Sequence, residues 1–168
     1  MKITSASANK LIRTLEDKKS FLLGQESNNS TYVLADGEKI EIPEYDFNET
    51  NRLIDEIDLK IRTLKHALNV FNTTTVLPIG ITIDQALVEM AQLNNKLPRL
   101  DSLRRAKNKT RLSGGMAARR DVAEYQYLNY KTDDVEKVYE ENLSRVQQIQ
   151  LALDRVNQTQ EFEVDITE

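Results

Sequence analysis

The sequence predicts a mainly all-α protein, built from two long antiparallel helical hairpins related by internal duplication. Three observations predict this class. Apolar residues recur at helical spacing in four segments. The composition, with 30% charged residues and only five Gly in 168, is typical of long exposed helices. The two halves of the chain also repeat each other. We expect one helical domain over residues 1–168, a four-helix bundle or coiled-coil-like structure with a small β-hairpin or β cap at one end.

The first hairpin is predicted from two helical segments and the connection between them. The first helix covers about residues 4–25 and the second about residues 48–71. The second helix carries a strict a/d seam, formed by Ile54, Ile57, Ile61, Leu64, Leu68 and Phe71. The connection, "TYVLADGEKIEIP" at residues 31–43, places two β-prone runs around Asp36-Gly37, which predicts a β-hairpin.

The second hairpin has the same order of elements. Its first helix begins at Thr82 and Gln85, which match a capping box, and contains Pro98, which is expected to kink it. The connection alternates apolar and polar residues over 121–131 and predicts a strand after the Gly114-Gly115 loop. Thr132 is the predicted N-cap of the last helix. A short joint makes the middle helices antiparallel, so both connections are expected at one end of the molecule.

A shift of 85 residues brings the second helix onto the fourth. It aligns seven residues with residues of the same kind: Ile61, Leu64, Ala67, Leu68, Phe71, Asn72 and Thr74 with Val146, Ile149, Ala152, Leu153, Val156, Asn157 and Thr159. A shift of about 80 aligns "KITSA" with "TIDQA". These matches predict pseudo-repeats of about 1–77 and 78–168, because duplication of a helical hairpin would produce both of them.

The residue inventory argues against several kinds of chemistry. The chain has no Cys, which excludes disulfides and thiolate chemistry, and His66 is its single histidine. No Gly-x-Ser-x-Gly elbow and no Glu-x-x-His pair is present. We therefore expect a protein that is not an enzyme and has no metal and no cofactor.

The charge and hydropathy of the chain bear on its partners and location. The net charge of -4 and a pI near 5.2 argue against a specific nucleic-acid binder. The first residues lack the apolar core of a signal peptide, and no apolar run approaches the ~18 residues of a transmembrane segment. We expect a cytoplasmic protein without a transmembrane segment.

A basic run at residues 96–120 stands out in this acidic chain. It holds nine Lys and Arg residues against one acid, Asp101. One interpretation is a solvated loop that tempers an acidic bundle. The other is an edge that binds phosphate, acidic lipid or the acidic face of another subunit. The candidate anion-binding or partner-binding residues are Arg104, Arg105, Lys107, Lys109, Arg111, Arg119 and Arg120.

Two Asn and two Thr residues follow the seams of the second and fourth helices. They are Asn72, Thr74, Asn157 and Thr159. The asparagines are interpreted first as C-terminal helix caps, since Asn tolerates the left-handed conformation of that position. The alternative is that the four residues form a polar end of the bundle that faces a ligand.

The order of motifs resembles a known family. The chain opens with Met1-Lys2-Ile3, and Asn72-Thr73-Thr74 ends a helix before the helix start "ITIDQAL". An Arg-bearing connection and an amphipathic last helix follow. This order resembles the septicolysin-like family of small bacterial helical proteins over nearly the full length. The resemblance implies no catalytic residues, and the family name implies a pore-forming cytolysin.

Three functions follow as expectations. The first is a non-enzymatic scaffold or interaction protein that forms a homo-oligomer, because long a/d seams pack within one chain or between copies. The second is a membrane-active, cytolysin-like oligomer whose basic edge at residues 96–120 meets anionic lipid. The third is an enzyme or ligand carrier working at the Asn/Thr end or the basic loop.

Overall fold

The computed structural model describes residues 1–112 and 123–166, and 66% of these residues are helical. The mainly α class is thus confirmed. Within the described residues the helices are α1 (Ser5–Asn29), α2 (Phe47–Thr74), α3 (Ile83–Arg104) and α4 (Thr132–Thr159). The strands are β1 (Lys2–Thr4), β2 (Lys109–Arg111), β3 (Tyr125–Tyr127) and β4 (Glu161–Glu163).

The chain divides into two compact units. The first unit combines Met1–Thr75 with the residues from Asp154 onward, and the second is Val76–Leu153. The second boundary falls inside α4, so the last residues of that helix belong to the first unit.

In the first unit, α1 and α2 pack against each other as an antiparallel hairpin. Ion pairs connect Lys19 to Asp58 at 2.6 Å and Lys65 to Glu16 at 2.9 Å, so rising numbers on α1 meet falling numbers on α2. The core combines residues of both helices and the chain ends: Ile3, Ala8, Ile12, Leu64 and Val164. Burial of this apolar surface is the main stabilising contribution to the unit.

A short ladder joins β1 to β4 in antiparallel register, with Ile3 opposite Phe162. The backbone N–H of Val164 extends it by donating to the carbonyl of Met1 at 2.9 Å. The ring of Phe162 stacks on Phe71 of α2, with the ring centroids 4.7 Å apart. The sequence did not predict this ladder, because three-residue strands carry no readable alternation and these two lie at opposite ends of the chain.

The β-hairpin predicted at residues 31–43 is wrong, since no strand is present there. The turn itself forms: Glu38 N–H donates to the carbonyl of Ala35 at 3.0 Å, and Gly37 has φ 80°. Positive φ at the third turn residue, and not at Asp36, is the pattern of a type II turn. Such turns splay the flanking segments, whereas hairpins need the primed types. The first connection therefore contributes nothing to a β cap.

In the second unit, α3 begins with the predicted capping box. Gln85 N–H donates to the Thr82 hydroxyl at 3.2 Å, and Thr82 N–H donates to the Gln85 side chain at 3.0 Å. Pro98 lies inside α3 without ending it. Side chains bridge α3 and α4, where Arg145 Nε donates to Glu89 at 2.7 Å.

The second sheet of the described residues lies in the connection between α3 and α4. It pairs β2 with β3 in antiparallel register, with Lys109 opposite Tyr127 and Arg111 opposite Tyr125. The strand predicted over 121–131 is confirmed at Tyr125–Tyr127. Its partner β2 was not predicted, since the basic run carries no apolar alternation.

Candidate functional site

The basic edge is the described part of the basic run, residues 96–112 in the second unit. Arg104, one of its candidate binding residues, is committed to internal contacts. Its guanidinium lies 2.7 Å from Asp101 and 2.9 Å from Glu136, and stacks 4.1 Å from the Tyr139 ring centroid. Hydrogen bonding from Arg104 holds the pKa of Asp101 below its usual value. With its side chain only 21% exposed, Arg104 fastens α3 to α4 and is not free for an external anion.

The other described cations face solvent. Arg105 donates to Asp101 at 3.0 Å, but its side chain is 70% exposed. Lys109 lies over the Tyr125 and Tyr127 rings, with its ammonium 4.0 and 5.4 Å from their centroids. Lys107 and Arg111 are exposed and meet no acid within the part of the chain that the structure describes. Of the candidate binding residues that the structure describes, these four are available to a partner.

Part of the predicted edge lies outside the described residues. Arg119, Arg120 and Gly114-Gly115 lie outside the described residues. The candidate edge is therefore built from the end of α3 and from β2, and sequence reasoning missed the tyrosines of β3 that hold Lys109.

An open groove of 630 Å³ runs beside this edge between α3 and the start of α4. Tyr130 helps to shape it by donating its hydroxyl to the Leu103 carbonyl at 2.9 Å, which satisfies one orphan carbonyl of the last helical turn. The other lining residues are apolar at the floor and charged at the rim: Leu100, Val135 and Val138, then Arg99, Lys131 and Asp134.

The predicted polar end is occupied by internal hydrogen bonds. Thr74 and Thr159 each donate to the carbonyl four residues earlier at 2.7 Å, so both hydroxyl donors are used within their own helices. Asn157 accepts a hydrogen bond of 2.7 Å from Ser5, which is 2% exposed. This contact connects α1 to α4, and no sequence pattern predicted it.

The C-terminal caps predicted at Asn72 and Asn157 are wrong. Helix α2 continues to Thr74 and is capped by Thr75, and α4 continues to Thr159. No described non-glycine residue has positive φ, so neither asparagine takes the left-handed conformation. Both lie inside the last helical turn, which ends at Thr74 in α2 and at Thr159 in α4.

The first connection exposes apolar side chains, which the predicted hairpin would have paired across its two strands. We call residues 31–46 the acidic segment, because five acids stand there against Lys39. Val33 is 93% exposed and Ile42 58%. Counting its flanks, eight large apolar side chains between residues 21 and 47 are exposed: Phe21, Leu23, Tyr32, Val33, Leu34, Ile40, Ile42 and Phe47. Exposed apolar side chains are thus concentrated in and around the acidic segment.

The described residues also bear on metal binding and on insertion into a membrane. Within residues 1–112 and 123–166, no group of three or more His, Cys, Asp or Glu side chains is arranged to hold a metal ion. Across the same described helices, none is long and apolar enough to cross a membrane.

The described elements define a mainly helical protein with two short antiparallel sheets. Its fold is similar to that of a functionally unknown conserved protein from Corynebacterium diphtheriae, known from a crystal structure. The likeness has a TM-score of 0.62 at 15% sequence identity and covers 97% of this chain and 100% of that chain. No protein-family model matches the chain, and no curated protein matches its sequence.

Proposed function

We propose that this protein is a non-enzymatic scaffold that assembles with copies of itself. The observation that carries the proposal is the exposed apolar surface around the acidic segment, where Val33 alone is 93% exposed. Monomeric proteins rarely expose clustered large apolar side chains, because burying them in a contact is favourable. A cytoplasmic location remains a prediction.

The proposal includes an internal duplication with coiled-coil-like seams. Leu64 and Ile149, which the shift of 85 aligns, are both 0% exposed. The aligned Thr74 and Thr159 make the same hydrogen bond to their own helices at the same 2.7 Å. These matches support two copies of one ancestral hairpin, each burying its seam.

The test of self-assembly is the solution mass by light scattering over a range of concentrations. We expect a discrete multiple of 19.3 kDa. Val33→Asp should lower that mass without changing the helical content, since this side chain is exposed in the free chain. Leu151→Asp is the matched control, because Leu151 is also exposed, at 72%, but lies on α4. A mass of one chain at every concentration would refute the scaffold.

A second candidate is a membrane-active, cytolysin-like oligomer, which the septicolysin-like resemblance supports. The specific observation in its favour is that exposed cations, Arg105, Lys107 and Arg111, occur in a chain that also exposes an apolar segment. Anionic lipid attracts such cations. The test is dye release from anionic liposomes, weakened by Arg105→Glu with Arg111→Glu. Absence of release at every concentration would exclude it.

A further inference from the structure

Resting on the self-assembly proposed above, we infer that the acidic segment of one copy adds as a strand to the free edge of β2 in a second copy. The pairing strand is residues 38–42, "EKIEI". Strand addition of this kind takes its affinity from main-chain hydrogen bonds and its specificity from alternate side chains.

The free edge of β2 follows from the hydrogen bonds that it makes on its other side. Leu112 N–H donates to Glu124 and Leu128 N–H donates to Asn108, so residues 108 and 112 bond toward β3. Bonded and non-bonded pairs alternate along an antiparallel ladder. The backbone groups of Lys109 and Arg111 therefore point away from β3, where no strand of the described chain pairs with them.

The side chains of this sheet separate into two faces. Lys109 and Arg111 lie on one face with Tyr125 and Tyr127, because directly opposite residues share a face. Leu112, which is 44% exposed, lies on the other face. The free edge thus presents a cationic face and an opposite face that carries Thr110 and Leu112.

The acidic segment alternates in the complementary way. Ile40 and Ile42 fall on one face of an added strand together with Glu38, and Glu41 falls on the opposite face together with Lys39. In an antiparallel register with Glu41 opposite Arg111, Ile40 lies opposite Leu112 and Lys39 lies beyond the end of β2. This register pairs Glu41 with a cation and Ile40 with Leu112, and keeps the lysine of the strand away from Lys109 and Arg111.

The charges also decide which strand is accepted. A second β2 would bring Lys109 and Arg111 against their own copies, and like charges directly opposite each other destabilise a strand pair. Charged edge strands are a known defence against such pairing. The acidic segment carries five acids against one lysine. The β2 edge therefore attracts this segment, whereas it repels the β2 strand of a second copy.

A contact between two different surfaces has a geometric consequence. Each copy carries one acidic segment and one β2 edge. The contact therefore closes as a reciprocal two-fold dimer, or continues head to tail as a ring or an open filament. The turn at Gly37 presents the segment, since Glu38 is already bonded to Ala35 in the free chain.

The experiment uses two variants of the full chain, Glu41→Arg and the double variant Lys109→Glu with Arg111→Glu. Each should weaken assembly at least about tenfold and give the mass of one chain where the wild type is assembled, because charge reversal replaces attraction by repulsion. Asp17→Arg, the same charge change at an exposed position of α1, is the control and should assemble as the wild type does.

Mixing the two variants identifies the contact. In the mixture the unchanged segment of the double variant meets the unchanged β2 edge of Glu41→Arg, and the arginine introduced at position 41 meets the glutamates introduced at 109 and 111. Both contacts then pair opposite charges, so the mixture should regain the mass of the wild-type assembly. A mixture that stays at one chain overturns the inference, as do variants that assemble like the wild type. A wild type that never assembles refutes the scaffold itself, which distinguishes the two failures.

Discussion

Replacing Leu64 by alanine tests the core of the first unit. Leu64 is 0% exposed and packs with residues from α1 and both chain ends, namely Ile3, Ala8, Ile12 and Val164. Leu→Ala changes in cores cost about 2–5 kcal/mol, and the cost rises with the cavity that remains. Because a ladder and a helix hold the surrounding side chains, the site collapses little. We expect a loss of about 4 kcal/mol in the free energy of unfolding.

The measurement is urea unfolding followed by far-UV circular dichroism. With a denaturant slope of about 2 kcal/mol/M, a loss of that size lowers the midpoint by about 2 M. Leu59→Ala is the control, since it makes the same substitution on the same helix at a side chain that is 54% exposed. Its expected cost is about 0.5 kcal/mol.

Equal midpoints for Leu64→Ala and Leu59→Ala would refute the seam assignment. They would show that α2 buries another face, and the alignment of Leu64 with Ile149 would then lose its meaning.

Three smaller changes test individual contacts. Hydrogen bonding from Arg145 holds the pKa of the Glu89 carboxyl below its ordinary value, so this stabilisation is present above the ordinary pKa and is lost as the pH falls through the lowered one. Glu89→Gln should therefore make the melting temperature fall less steeply as the pH is lowered. Ser5→Ala should cost about 1 kcal/mol in urea unfolding, because the buried Asn157 contact is lost. Tyr130→Phe removes a cap from α3 and should speed amide exchange in its last turn.

Each of these has a contrary outcome. An unchanged acid limb would mean that the Glu89 ion pair contributes nothing to stability. If Ser5→Ala and the wild type unfold at the same urea concentration, the Asn157 side chain bonds to water and not to Ser5. If Tyr130→Phe leaves the rate of amide exchange at the end of α3 unchanged, groups other than the Tyr130 hydroxyl stabilise that turn.

The helices were predictable because their signals are local. The spacing of apolar residues in α2 and the capping box at Thr82 and Gln85 are each read within a short stretch of sequence. Helix α2 buries Ile57, Leu64 and Phe71 of the predicted seam, and the capping box forms at the start of α3. The prediction of a hairpin around Gly37 is wrong because the amino-acid composition does not determine the type of turn. Asp36-Gly37 suits several turn types, and the type is decided by the φ of Asp36, which residue identity leaves open.

The candidate site was predictable only as a charge. The basic run predicted the edge, but from the sequence Arg104 and Lys109 were equal candidates for binding an anion. One is held between two acids and the other lies over two tyrosine rings. Partners such as Glu136 and Tyr125 are distant in sequence, and no spacing rule connects them to the run. Tertiary packing therefore separates the structural cation from the available ones.

The division of the chain has a consequence for its synthesis. The second unit is one continuous stretch, Val76–Leu153, inserted into a first unit that is made of two. During translation, α1 and α2 emerge first and can pair through neighbouring contacts. Their core stays incomplete until Val164 has been made, because this residue and the β4 ladder close it. The second unit is therefore fully synthesised before the last strand of the first unit has been made.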